Sequence, residues 1–536
     1  MTQGPAEPQI PREPVSRETN LARLRERPLD VLIMGGGING AGIARDLALR
    51  SRTRRIPLRI GLVEQRHFAS GTSGRNSQLI HGGLRYLKGL EFGLVSEALR
   101  ERTTVLGLAP HLAHPQPFLI PMYGRFDRFF YGLGLWIYDL LAGSQTLGRR
   151  RTLDRGAVSR LEPGLAADDL AGGAIFFDAR IHSARFVLEN VFEAASDGAI
   201  VANYARAERT KAGAVTIHDT LSGEPFEVRA KKIVDATGPW ADPGGLRLVR
   251  GSHIVVPRVN HSDNAIAYFE PGGRIIFVIP WGERRNLSLV GTTDIDHSSG
   301  PDDVSISPEE VRYLLAILRR LYPGAAAAEP LAAYSSLRPL LRDDSASATR
   351  ASRGHRIWNT PDGVLHVAGG KYTTYRAMSQ EAADLVAREI APELAKTHET
   401  GSRPLGGNSR QRIDSLRAEA PGLAALHGVG EEDVERMIGL YGVKTPVLLA
   451  SLPAAGAPAL SRLDRARIAF AVRHEMARRL PDLMFVSTYW GYEAQWTEET
   501  LAPYAAAMGG HLGWSSSRTR QETGLVAQLT ASPAVP

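Results

Sequence analysis

The 536-residue sequence predicts an α/β plus α+β protein: a Rossmann-like dinucleotide-binding domain, an interleaved β-sheet domain and an α-helical C-terminal domain. Three observations predict it. "LDVLIMGGGINGAGIARDLALR" passes from a short apolar strand through glycines into a helix with an apolar stripe at Ile43, Leu47 and Leu49. "GSHIVVPRV", "RIIFVIPW" and "LSLVGTTDID" are strand-like runs parted by turns, as in a sheet meander. From residue 409 onward the pattern is mostly helical.

Taken in order, residues 1–28 are polar and proline-rich without an apolar h-region, and read as a flexible tail, neither signal peptide nor anchor. Residues 30–34 are a candidate buried parallel strand, and 58–65 a second one ending at Glu64, which completes a βαβ unit. Lys232 to Asp235 reads as a strand closed by Ala236-Thr237-Gly238. "ISPEEVRYLLAILRRLYPG" opens with Ser307 as N-cap, Pro308 at N1 and Glu310 at N3, a capping-box start. "GVLHVAGGKYTTYRAMSQEAADLVAREI" is again strand, glycine turn, helix. The expected division is a dinucleotide-binding region over 29–110, 170–245 and 345–396, with sheet parts at 111–169 and 246–344. A linker at 397–408 then leads to a helical domain, 409–536, with a loose end.

Composition narrows the chemistry. The chain lacks cysteine, which excludes disulfides and thiolate metal sites, and no metal site is read from it. A net charge of +7 carried by only seven lysines among 64 basic residues, with no basic–aromatic block, gives no sign of nucleic-acid binding. Residues 129–143, "FFYGLGLWIYDLLAG", lie between Arg125, Arg128 and Arg149 to Arg151. They are too short and glycine-broken to span a bilayer, and read as a core segment or, more sharply, as a membrane-surface contact.

Gly35-x-Gly37-x-x-Gly40 sits between strand and helix, where glycines give a tight turn, backbone access to a pyrophosphate and close helix packing. Glu64 suits a ribose diol and would repel a 2′-phosphate. The motif alone does not separate NAD from FAD. Thr237-Gly238 after a strand and a second glycine turn at Gly369-Gly370 favour FAD. In "NSQLIHGGLRYL" the adjacent Gly82 and Gly83 imply that something approaches the backbone closely.

These motifs, with "GTSGRNSQLIHGGLRYLKGLEFGLVSEALRER", "DATGPWAD", "GSHIVVPR", "YSSLRPLL" and "AGGKYTTYR", resemble the FAD-dependent glycerol-3-phosphate dehydrogenases in order from about residue 30 to 376. The helical tail resembles that family's C-terminal domain. The resemblance implies an FAD fold of the glutathione-reductase/D-amino-acid-oxidase type. It also implies oxidation of glycerol 3-phosphate to dihydroxyacetone phosphate by hydride transfer to FAD. Electrons would pass to a membrane quinone (ubiquinone or menaquinone), from a cytoplasmic enzyme attached peripherally to the inner face of the membrane. A homodimer is compatible with the chain. The alternatives are a glycerol-3-phosphate oxidase using oxygen, or another amine or amino-acid oxidase.

By position, the implied cofactor contacts are Gly35, Gly36, Gly37, Ile38, Asn39, Gly40, Glu64, Gln65, Thr72, Ser73, Ser77, Gln78, Leu79, His81 and Gly83. Ala205, Thr237, Gly238, Gly370, Lys371 and Thr373 complete them. Arg85, Tyr86, Arg338, Arg353 and Lys371 match the substrate pocket, where a phosphomonoester dianion needs fixed cations. His253 is the first choice for general base, with Arg338 as a rival that would polarise the alcohol. Lys371 would also steady the anionic reduced flavin. His81 is expected to pack against the flavin. Two stretches depart from the family pattern: Gln78 stands where many relatives have lysine, and "RHEMARRLPDLMFVSTYWGY" is atypical.

Overall fold

The computed structural model describes residues 16–84, 91–210, 214–241, 246–270, 273–342, 354–454 and 459–531; the side chains of 125–131, 133 and 144 are not among those described. A six-stranded sheet carries the dinucleotide half. Its order is His355–Asn359, Leu365–Gly369, Ala230–Asp235, Leu29–Met34, Ile60–Val63, Ile200–Ala202, parallel except for the first strand. Leu29–Met34 lies at the centre, and Val31, Leu32 and Ile33 are fully buried because helices cover one face of the sheet while a three-stranded sheet (Ala205–Arg209, Val215–Asp219, Pro225–Val228) and the helix Arg17–Glu26 cover the other. The helix Ile38–Arg54 packs between Ser183–Ser196 and Tyr375–Ile390.

A ten-stranded, mostly antiparallel sheet carries the other half, its centre formed by the meander Leu246–Pro257, Ala265–Phe269, Ile275–Trp281 and Leu287–Gly291. The strand Ala332–Leu341 adds to Leu246–Pro257 over ten residue pairs. Leu170–Ile181, assigned by sequence to the cofactor part, instead pairs antiparallel with Ala113–Tyr123 and belongs to this sheet. The capping box at Ser307 forms as expected, its hydroxyl accepting from Glu310 N while the Glu310 carboxylate accepts from Ser307 N. Such a cap is worth about 1 kcal/mol.

Two further expectations are corrected. Within the segment read as a flexible tail, Arg17–Glu26 is a helix. Its polar sequence hides its purpose. Buried Arg17 pairs with Asp219 at 2.5 Å and donates to Asn203 O, while Leu21 and Leu24 join a core cluster under the sheet. Removing one partner of such a buried pair costs roughly 3–5 kcal/mol. The stretch read as a linker, 397–408, is packed: buried Arg45 donates to Thr400 O and Arg403 O, and Thr400 Oγ1 donates to Asp46.

The helices that follow, from Arg410–Ala418 to Ser516–Thr530, dock through buried charge. Arg185 bonds Glu475, Ser487 O and Leu440 O, and Arg467 forks onto Glu283. No described helix is long and apolar enough to cross a membrane.

Candidate active site

A cavity of about 560 Å³ lies between the two sheets. At one end it is lined by Gly35, Gly37, Ile38, Asn39, Glu64, Gln65, Thr72 and Ser73. The loop geometry explains the glycines. A Cβ on Gly40 would fall inside the Gly35 carbonyl oxygen, and one on Gly35, at φ +105°, would stand 2.6 Å from Ala236 O. Glu64 closes the turn by accepting from Gly36 N at 2.7 Å and from Arg66 N at 2.9 Å. Ser73 Oγ accepts from Ile38 N at 2.9 Å, at the helix N-terminus where an anion is favoured.

Further along stand Ser77, Leu79, His81, Gly83, Ala205, Thr237, Gly238, Gly370 and Lys371. Thr237 is held by Asp235, which accepts from its backbone N and its hydroxyl and meets His366 at 3.2 Å. An apolar wall from the large sheet, including Phe118, Phe176, Phe269 and Phe277, faces the same space. The far end holds His253, Thr292, Asp294, Ser336 and Arg338.

Four residues expected against the cofactor do not line the cavity. Gly36 faces Phe68 and Glu64, and Gly40 faces the Gly35 carbonyl. Thr373 lies behind His81, its hydroxyl accepting from His81 N and donating to His81 O. Gln78 turns away into the protein, its amide bonded to Ser183 N and Tyr489 Oη. Gly82 also differs from Gly83: its missing side chain makes room for Tyr138 and for Leu99, whose Cδ2 would be 2.6 Å from a Cβ, so only Gly83 of the pair borders the cavity. Arg85, Tyr86 and Arg353 fall outside the described residues.

His253 and Arg338 owe their places to two strand glycines. His253 lies opposite Gly291 in the ladder, and a Cβ there would be 2.8 Å from the imidazole Cγ. A Cβ on Gly251 would be 2.6 Å from the Arg338 Cζ. Tyr334 stacks on the imidazole at 5.0 Å, and Ser77 Oγ bonds Nε2 at 2.8 Å. The Arg338 guanidinium is fixed by Asp294 at 2.6 Å, Thr292 Oγ1 at 2.9 Å and Thr293 O at 3.2 Å. Behind the sheet, Glu310 accepts from Ser252 and Thr293 hydroxyls, each at 2.7 Å. The capping-box glutamate thereby braces the strand and the turn that carry the site. Gly291→Ala is expected to fold but to lose activity by roughly 100-fold, because it pushes the imidazole off its seat; steady-state turnover beside thermal melting checks this.

Burial, reinforced by the Arg338 charge, holds the His253 pKa down to about 3. Its imidazole is therefore neutral near pH 7 and can accept a proton, and an arriving anion would favour that protonation. His67, His111 and His182 are also lowered by burial, and His114 falls to about 4. In the unfolded chain these groups bind protons near pH 6.5. Stability is thus full above that pH and is lost as pH falls from about 6.5 toward the folded values. Melting temperature measured from pH 7.5 to 5 should drop steadily, and less so in His253→Asn.

The sequence reading missed Asp178, Asp294 and Trp240, all cavity-lining. Asp294 stands in "LSLVGTTDID", a stretch read only as a strand of the meander. Asp178 interrupts an apolar strand, where an acid signals a buried partner; its Oδ1 accepts from Arg102, Tyr138 and Gly82 N.

Comparison with known proteins fits this geometry. The FAD dependent oxidoreductase profile matches residues 30–385, and that of the C-terminal domain of alpha-glycerophosphate oxidase matches 398–519. An alpha-glycerophosphate oxidase of Streptococcus pneumoniae is 29% identical, covering 92% of this chain and 96% of its own. An aerobic glycerol-3-phosphate dehydrogenase of Staphylococcus epidermidis is 32% identical, with 78% and 79% covered. The crystal structure of a glycerol-3-phosphate dehydrogenase from Bacillus halodurans complexed with FAD superposes with a TM-score of 0.75 at 25% identity, covering 96% of each chain. The glycine loop, the Glu64 turn and the Thr237–Gly238 and Gly370 backbones suit that cofactor. The chain therefore belongs to the FAD-dependent oxidoreductases, in the glycerol-3-phosphate dehydrogenase and alpha-glycerophosphate oxidase family.

Proposed function

We propose that this protein oxidises glycerol 3-phosphate to dihydroxyacetone phosphate with FAD. The observation that carries the reading is the convergence of a neutral imidazole, His253, and two cations, Arg338 and Lys371, on the cavity that the dinucleotide loop also lines. When bound, FAD supplies a two-electron acceptor for the hydride of a carbon bearing a hydroxyl. The chain supplies the rest. Arg338 and Lys371 attract the phosphate dianion and steady negative charge as the alcohol gives up its proton. His253 receives that proton, held in place by Ser77 and Tyr334. The phenylalanine wall excludes water.

The electron acceptor is a membrane quinone in this reading, and the surface supports it. On the helix Arg125–Ala142, Trp136 is 53% and Leu140 65% exposed. The exposed Arg149 and Arg151 follow, and Arg150 ties that segment to the helix through Asp139 and Gly132 O. Large apolar side chains flanked by arginines suit an anionic lipid surface, at about 1 kcal/mol per basic group. Replacing Trp136 and Leu140 together by glutamate should release the protein from anionic vesicles in a flotation assay while leaving turnover with a soluble acceptor intact. The Streptococcus relative, matched over almost its whole length, favours a second reading with oxygen as acceptor. Oxygen uptake set against reduction of a short-chain quinone separates the two.

A further inference from the structure

We propose that Tyr489 and Gln78 are positioning residues through which the C-terminal helices set the Ser77–His253 pair. The inference rests on the reading of His253 as proton acceptor.

Tyr489 lies just past the π-turn Leu483–Ser487, is 4% exposed, and stacks on His182 at 4.2 Å. Its hydroxyl reaches into the catalytic half and uses its full capacity there. It donates to Gly74 O at 2.9 Å, accepts from Gln78 Nε2 at 3.0 Å and Ala184 N at 3.1 Å, and lies 3.2 Å from Ser183 Oγ. The two ends of the Gln78–Tyr489 contact both have left-handed backbones, φ +58° and +66°. Non-glycine residues hold that conformation only where surrounding contacts enforce it.

Gln78 is in turn clamped on every polar atom. Its Oε1 accepts from Ser183 N at 2.8 Å, its carbonyl from Ile181 N at 2.9 Å, and its N–H donates to Asn76 Oδ1 at 2.8 Å. The residue between Asn76 and Gln78 is Ser77, whose hydroxyl holds His253 Nε2. The C-terminal segment reaches the other side of the imidazole as well: Tyr492 packs on Tyr334 at 4.8 Å, and Tyr334 covers His253 and donates to Asn76 O at 2.8 Å. The buried imidazole thus takes its orientation from Ser77, whose neighbours are tied down by Tyr489, 411 positions from Gln78, and by Tyr334, 258 positions from Asn76.

The test uses the full-length, FAD-loaded protein and anaerobic stopped-flow reduction of its flavin by glycerol 3-phosphate. Tyr489→Phe keeps the ring and removes the hydroxyl. It should slow the limiting reduction rate by roughly ten- to a hundredfold, with half-saturation within about twofold and flavin content unchanged. Gln78→Met should do the same, and the double variant should be no slower than either. In a His253→Asn background, Tyr489→Phe should add nothing. A wild-type rate in both single variants overturns the inference, as does an effect that multiplies undiminished onto His253→Asn. Loss of flavin or fold from both single variants also overturns it, since the contact would then be a structural clamp. A near-wild-type rate in His253→Asn alone overturns instead the assignment of His253, and this inference falls with it.

Discussion

Gly40→Ala is expected to leave purification without flavin and with a sharply lowered melting temperature. The added methyl would fall inside the carbonyl oxygen of Gly35, a backbone atom that the neighbouring strands fix in place. Neither side can yield cheaply. The helix Ile38–Arg54 is wedged between two other helices, and Gly35 N is bonded to Val63 O. Overpacking of this kind costs about 3 kcal/mol or more, a large share of the 5–15 kcal/mol that holds a typical domain together. Gly107→Ala is the control. It sits exposed in the helix Phe92–Leu108, a Cβ there meets nothing within 4 Å, and alanine should be neutral or stabilising by up to about 1 kcal/mol. Flavin absorbance per protein and thermal melting of the two variants decide the matter.

Arg338→Lys is expected to lower kcat/KM for glycerol 3-phosphate by roughly 100- to 1,000-fold, with the flavin retained. Lysine keeps the positive charge, so the loss isolates what the planar fork does. The guanidinium bonds Asp294, Thr292 Oγ1 and Thr293 O together and lies flat over Gly251. An ammonium group cannot satisfy that arrangement and still face the cavity as a fork. A change in kcat/KM of less than about tenfold would show that Arg338 acts only as a diffuse charge. Gly251→Ala should weaken catalysis in the same direction, since it displaces the same group.

The parts of this site that were legible in the sequence are those whose chemistry is local. A glycine loop between strand and helix, an acid ending the next strand and a capping box each need neighbours only a few residues away or at a fixed spacing. The meander was legible for the same reason, since alternation and turns are short-range. What escaped was decided by distant partners. Arg17 looks like one more charge in a polar tail until Asp219, 202 residues on, meets it. Gln78 was placed against the cofactor because of its position in a motif, yet its side chain answers to Tyr489, 411 residues later. Gly82 and Gly83 are equivalent as letters, but Tyr138 and Leu99 fill the space over the first while the second borders the cavity. The glycines at 251 and 291 carried no signal, because a glycine under a side chain from the next strand is visible only in the ladder register.

The central claim is that this cavity brings glycerol 3-phosphate and FAD together for a two-electron oxidation. Anaerobic addition of glycerol 3-phosphate to the FAD-loaded protein tests it most directly. The yellow flavin spectrum should bleach with one equivalent of dihydroxyacetone phosphate formed per flavin. A spectrum that stays oxidised with saturating glycerol 3-phosphate, in a protein that dithionite still bleaches, would contradict it.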